Sequence, residues 1–175
     1  MGRQYFQDGP YVDTMVANGT ALVSTSAEAL WIGATFTPIF ANDPKAGKIY
    51  SIRAGGILST STSGTLIIIP QYGVLAGTTL GTSPTQTVPI SLTAVPWYLQ
   101  FDLVFRTIGA AGANSTCIGT GLFSYASTTG DGMTLNFGGT SAAVDATVNS
   151  GITISKALSV AGSVTVQYAY IFSRN

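Results

Sequence analysis

The sequence predicts an all-β protein. It reads as an eight-stranded jelly-roll β-sandwich over residues 29–175, led by an extended N-terminal arm and lead-in segment over residues 1–28. Three observations carry this. Apolar residues alternate with polar ones, or cluster with β-branched neighbours, in eight separate stretches. Helical spacing is nearly absent, because Gly or Pro interrupts almost every window long enough to show it. Turn residues stand between the stretches. A chain of 175 residues has room for one full core and little for a second.

The head fits a strand pattern least. It carries Arg3, Tyr5, Phe6, Asp8, Tyr11 and Asp13 ahead of an Asn18-Gly19 turn, with more charge and aromatic surface than the rest. It reads either as an arm that packs on a neighbour or as a frayed or self-packed lead-in. Strands are expected at residues 29–40, 48–60, 65–72, 85–90, 97–108, 116–125, 143–154 and 163–172. Asn42-Asp43-Pro44 with Gly47 makes the first turn, since Asx residues and Pro pre-set turn geometry and Gly accepts positive φ. Residues 61–64 can close a hairpin between the second and third strands, and residues 109–114 can join the fifth to the sixth. Residues 128–132 (TTGDG) read as a loop tip. Gly55-Gly56 inside a strand marks a bulge or a close backbone approach.

The fifth strand, PWYLQFDLVFRTIG, alternates cleanly. Trp97, Leu99, Phe101, Leu103 and Phe105 form one apolar face that must point into the core. The other face carries Tyr98, Gln100, Asp102, Val104, Arg106 and Ile108. Asp102 and Arg106 are separated by about 13 Å along the strand, so each needs a cross-strand partner, an intersubunit partner or water. That face is too apolar for ordinary solvent surface, which makes Tyr98, Asp102, Val104, Arg106 and Ile108 a candidate interface with another subunit, the trimer contact if the resemblance given below holds.

Only 8% of residues are charged, against about 25% in a typical soluble domain. Ser and Thr make up roughly a quarter of the chain and replace the missing ions. Such a surface is cheap to desolvate, which favours a subunit of an assembly. Seven basic residues balance seven acidic ones, and no basic stripe offers a footprint for nucleic acid. No apolar run is long enough to span a bilayer, and no secretory h-region leads the chain. With the single Cys117, this fits synthesis in a reducing cytoplasm.

The chain has no histidine, which removes Ser-His-Asp and Cys-His nucleophiles and the commonest metal ligand. Cys117 reads as a packed thiol. Ser155 and Lys156 are strand neighbours on opposite faces and cannot form a dyad unless the strand breaks. Of the carboxylates, Asp8, Asp13, Glu28, Asp43, Asp131 and Asp145 fall largely in the head or in turn-like segments, where Asp serves the backbone. Gly119-Thr120-Gly121 lies inside an expected strand and opens no helix, so it is no phosphate loop. No catalytic residue, metal or cofactor is expected. Trp31 and Trp97 read as core; exposed Tyr and polar loops keep a sugar-binding alternative open.

The segments VPWYLQFDLVFRTIGAAGANST, CIGTGLFSY, SVAGSVTVQYAYIFSRN and TFTPIFANDPKAGKIYSIRAGGILSTSTSGTLIIIPQYG together resemble bacteriophage capsid decoration (cement) proteins with a jelly-roll fold. The resemblance implies a homotrimer on the capsid surface of a virion assembled in a bacterial cytoplasm. It also implies the major capsid protein as partner, clamped by an N-terminal arm. The alternative is a receptor- or carbohydrate-binding domain of a phage head or tail fibre.

Overall fold

The computed structural model describes residues 11–14, 18–19, 21–32, 39–73, 77–126 and 133–174. Arg3, Tyr5, Phe6, Asp8 and residues 127–132 lie outside them, as do the side chains of Tyr11, Asp13, Glu28 and Trp31. The described chain is all-β and every strand pairing is antiparallel. Its strands are β1 (Tyr11–Thr14), β2 (Leu22–Ile32), β3 (Ile49–Thr60), β4 (Gly64–Tyr72), β5 (Thr78–Thr79), β6 (Gln86–Val88), β7 (Val95–Thr107), β8 (Ser115–Tyr125), β9 (Met133–Val144) and β10 (Ile152–Arg174).

The spine is β10, 23 residues long. Along one edge it pairs first with β4, from Ile152↔Tyr72 to Leu158↔Leu66, and then with β3, from Gly162↔Thr60 to Arg174↔Ile49. Strands β3 and β4 therefore lie end to end against one partner and do not pair with each other. The expected hairpin at residues 61–64 is instead a corner. Hydroxyls hold it: the Ser61 amide and Oγ donate to the Ala161 carbonyl, the Thr65 amide donates to Ser159 Oγ, and the Ala161 amide donates to Thr62 Oγ1. Small polar residues make such a bend possible because their side chains replace ladder bonds that the bend removes. On the other edge of β10, β1 and β2 run in the same end-to-end manner, and β2 crosses residues 28 and 29 without interruption.

Beyond β3 the order continues β7-β8-β9, while β5 and β6 flank β4. The sheet folds over so that its two arms face each other. Tyr72 of β4 meets Phe105 of β7 edge-on at 6.0 Å, although those strands are not neighbours in the sheet. Between the arms lie the predicted apolar face of β7 (Trp97, Leu99, Phe101, Leu103, Phe105) and Ile52, Leu58, Leu66, Ile68, Phe123, Ile154 and Ile171, all buried. Gly119 and Gly121 leave room for rings: a Cβ at either would strike Phe101 or Phe137, which stack 4° from parallel.

Three other boundaries differ from expectation. Of the run at 29–40, residues 29–32 form the end of β2, which begins earlier at Leu22, residues 33–38 lie outside the described residues, and Ile39 makes an isolated bridge to Ser150. The run at 143–154 divides, because Asp145 bends the chain: its Oδ1 accepts from the Thr147 amide and Oγ1, each within 2.8 Å. That turn separates β9, which local alternation did not reveal, from β10, which begins well before residue 163. The run at 85–90 shortens to β6, between Pro84 and Pro89. Ten strands are thus described where eight were expected. Gly55-Gly56 does face a bulge, between Val166 and Tyr168 of β10.

Candidate functional site

The outer wall of the long arm is read most directly as rows across β10, β3, β7, β8 and β9, because residues paired across a sheet share a face. The first row is Arg174, Ile49, Val104, Ile118 and Ser141. The second is Phe172, Ser51, Asp102, Thr120 and Gly138. The third is Tyr170, Arg53, Gln100, Leu122 and Asn136, and the fourth is Tyr168, Gly55, Tyr98, Ser124 and Thr134. Successive rows are about 7 Å apart, two strand residues.

Asp102 finds its partners within the chain. Ser51 Oγ donates to its Oδ1 at 2.5 Å and Gln100 Nε2 donates to its Oδ2 at 3.2 Å. Arg53 lies 3.6 Å away, an ion pair too long for a hydrogen bond. Behind Asp102, Arg53 and Arg174 both sit over the Phe172 ring, at 5.9 and 5.4 Å, and Arg174 Nη2 donates to Ser51 Oγ at 3.3 Å. Cation–π contact and charge pairing thus fix one short acidic side chain from three strands. Arg106, four residues along β7, is exposed at the end of the strand.

In front of Asp102 the wall is hollow. A groove of about 490 Å³ runs over β7, β8 and β9, lined by Gln100, Asp102, Thr120, Leu122, Asn136 and the backbone around Gly138. The hollow follows from the sequence: Gly138 puts no side chain into its row, and it sits at a bulge with φ of 98°. A Cβ there would collide with the Gly119 carbonyl, so only glycine fits. Along the upper rim, Tyr98 is half-buried, and the Tyr168 ring lies across Gly55, 45% exposed. Burial, with Tyr98 and Tyr170 nearby, raises the Tyr168 phenol above its usual pKa.

Of the candidate interface residues, Tyr98, Asp102 and Val104 are half-buried on this wall, while Arg106 and Ile108 are exposed at its lower end. The structure adds Ile49 and Ile118 on either side of Val104, a half-buried apolar row that reading one strand at a time could not assemble. Asn136 was also missed, since β9 itself went unread. Of the candidate arm, Tyr11 and Asp13 belong to β1, whose backbone pairs with Phe172 and Ile171.

The remaining chemical candidates resolve into structure. Cys117 is fully buried, and burial pushes its thiol up to about 11, far from a thiolate. Ser155 donates to the Ile69 carbonyl on an unbroken strand, with Lys156 on the opposite face. Asp43 accepts from Lys48 Nζ at 2.7 Å and from Tyr50 Oη at 2.5 Å, locking the first turn. Among the described residues no group of three or more His, Cys, Asp or Glu side chains is placed to hold a metal, and no helix is long and apolar enough to cross a membrane.

No family model matches the chain, and no curated protein matches it. Among solved structures, the CBM2 module of the evolved Dit protein of Lactobacillus casei BL23 phage J-1 aligns with 94% of this chain and 96% of its own, at 8% identity and a TM-score of 0.33. At that score the alignment establishes neither a shared fold nor a shared function.

Proposed function

We propose that the chain is a structural virion protein: a capsid decoration (cement) protein of jelly-roll type that binds the outer shell as a homotrimer and clamps neighbouring major capsid subunits. The observation that carries it is the half-buried apolar row Ile49, Val104 and Ile118 across three adjacent strands of the outer wall. It continues toward Ile108, 43% exposed, at the end of the sandwich that also displays Phe40 and Val148. Beside a surface poor in ions, such a row is inexpensive to bury against a second copy. A cyclic trimer would repeat each contact three times, and three modest shell contacts per particle site add by avidity. The role needs no catalysis, cofactor, nucleic acid or membrane.

Light scattering after gel filtration tests the self-association. The wild-type chain should elute as a trimer, and Val104→Lys and Ile118→Lys as monomers with unchanged circular dichroism. Trimers persisting in both variants would remove this wall as the interface. Binding to empty shells tests the attachment: deletion of residues 1–10, which leaves β1 in place, should abolish it if the head is the clamping arm. Copy number separates decoration, with hundreds of copies per particle, from a fibre domain present in tens.

A further inference from the structure

The groove in front of Asp102 has no task in shell clamping. We propose that it is a binding site for an uncharged saccharide ring. This function stands apart from decoration and does not depend on it.

A pyranose presents hydroxyls that both donate and accept around an edge, and a C–H face that is apolar. The groove offers the matching set. Asp102 only accepts, Thr120 does both, and the amides of Gln100 and Asn136 each do both in a planar arrangement. Leu122 stands between the two amides in the same row, half-buried, and gives the C–H face a surface to rest on. The missing side chain at Gly138 supplies the depth.

Charge decides the ligand class. The groove lining contains no cation, and its one anion, Asp102, is balanced from behind by Arg53 at 3.6 Å. A phosphate or a sugar acid would meet Asp102 with no basic group to receive it. An uncharged polyol meets no such barrier. Preorganisation favours binding as well. Gln100 and Asp102 are already bonded to each other, and Asp102 to Ser51, so little side-chain freedom is lost when the ligand arrives. All the polar groups stand on strands rather than loops. The groove opens one row above Ile49, Val104 and Ile118, so a subunit seated on that row would leave the groove at its rim.

Saturation-transfer NMR on the full chain tests this. The probes are glucose, galactose, mannose, N-acetylglucosamine, lactose and cellobiose, with N-acetylneuraminic acid as the anionic probe. At least one neutral probe should bind with a Kd of about 1 mM or tighter. Asn136→Ala and Leu122→Ala should each weaken it about tenfold or more, a loss of about 1.4 kcal/mol. Thr87→Ala, on the far side of β4, should leave binding unchanged, and circular dichroism should be the same for all variants. No transfer from any neutral probe overturns the proposal, as does transfer from the anionic probe alone. So does binding that survives both groove substitutions. Shell binding is scored separately: loss of one activity with retention of the other shows which of the two readings has failed.

Discussion

Lys156 is the residue whose placement costs the fold most clearly. It sits on the inward face of β10 between Ile154 and Leu158, opposite Ile68, fully buried, and its Nζ has no hydrogen-bond partner among the described residues. Burial pushes its pKa down to about 8 from an ordinary 10.5. The unfolded chain therefore holds a proton between those values that the folded chain has lost, and the contribution of Lys156 to stability rises with pH across that window. The raised pKa values of Cys117 and Tyr168 act on wild type and Lys156→Met alike, so it is the urea midpoint of the wild type relative to Lys156→Met that should climb from pH 7.5 to 10.5. At pH 7 the Met variant should be more stable by about 1–3 kcal/mol, because it fills the same space without an ion to desolvate. Asp43 has the opposite sign. Burial raises its pKa, but the hydrogen bonds from Lys48 and Tyr50 outweigh this and hold it below 3.8. Its stabilisation is present above pH 4 and disappears as the pH falls through the lowered value. With its side chain 42% exposed, solvent screening limits the effect, so Asp43→Asn should cost about 1 kcal/mol at pH 7 and lessen the loss of stability in acid.

At the scale of elements, two long ribbons bend together, and glycine marks where backbones come too close for a side chain. Gly56 faces the bulge before Tyr168, and a Cβ there would enter the Thr165 carbonyl. Gly151, ahead of β10, has nothing within 4 Å of the same added atom. Gly56→Ala should therefore destabilise by about 3 kcal/mol or more, since the backbone itself must move. Gly151→Ala should be neutral, or stabilising by up to about 1 kcal/mol through the unfolded state. Thermal unfolding of the pair checks both. The Gly55-Gly56 bulge and the Asn42–Gly47 turn were legible in the sequence, because each depends on residues adjacent in the chain. The corner at residues 61–63 was not. Ser61, Thr62 and Ser63 look the same whether they close a hairpin or bend a ribbon, and only the pairing of both flanks with β10 distinguishes them.

For the whole molecule, the low charge and the apolar row make association the property to measure. A trimer that forms before unfolding gives a melting temperature that rises with protein concentration. The wild-type chain should show this, and Val104→Lys should not. The groove and the row lie on one wall but use different residues. Asn136→Ala should accordingly leave the oligomeric state unchanged, and Val104→Lys should leave saccharide binding within about threefold of wild type. Coupling larger than that would mean that the wall works as one surface.

The sequence by itself determined the all-β class, the inward face of β7, the first turn, the loop after β7 and the inert settings of Cys117 and Ser155. All of these follow from periodicity or from residues within a few positions of one another. It did not reveal β9, where the glycines of the bulge interrupt the alternation at residues 138 and 139, or the continuity of β10 through residues 159–162. It posed the question of what Asp102 faces without the means to answer it. The tertiary structure decided that: Ser51 and Arg53 are about fifty positions away in the chain and next to Asp102 in the sheet. Strand register, which no local pattern encodes, assembled the apolar row and the groove from four strands.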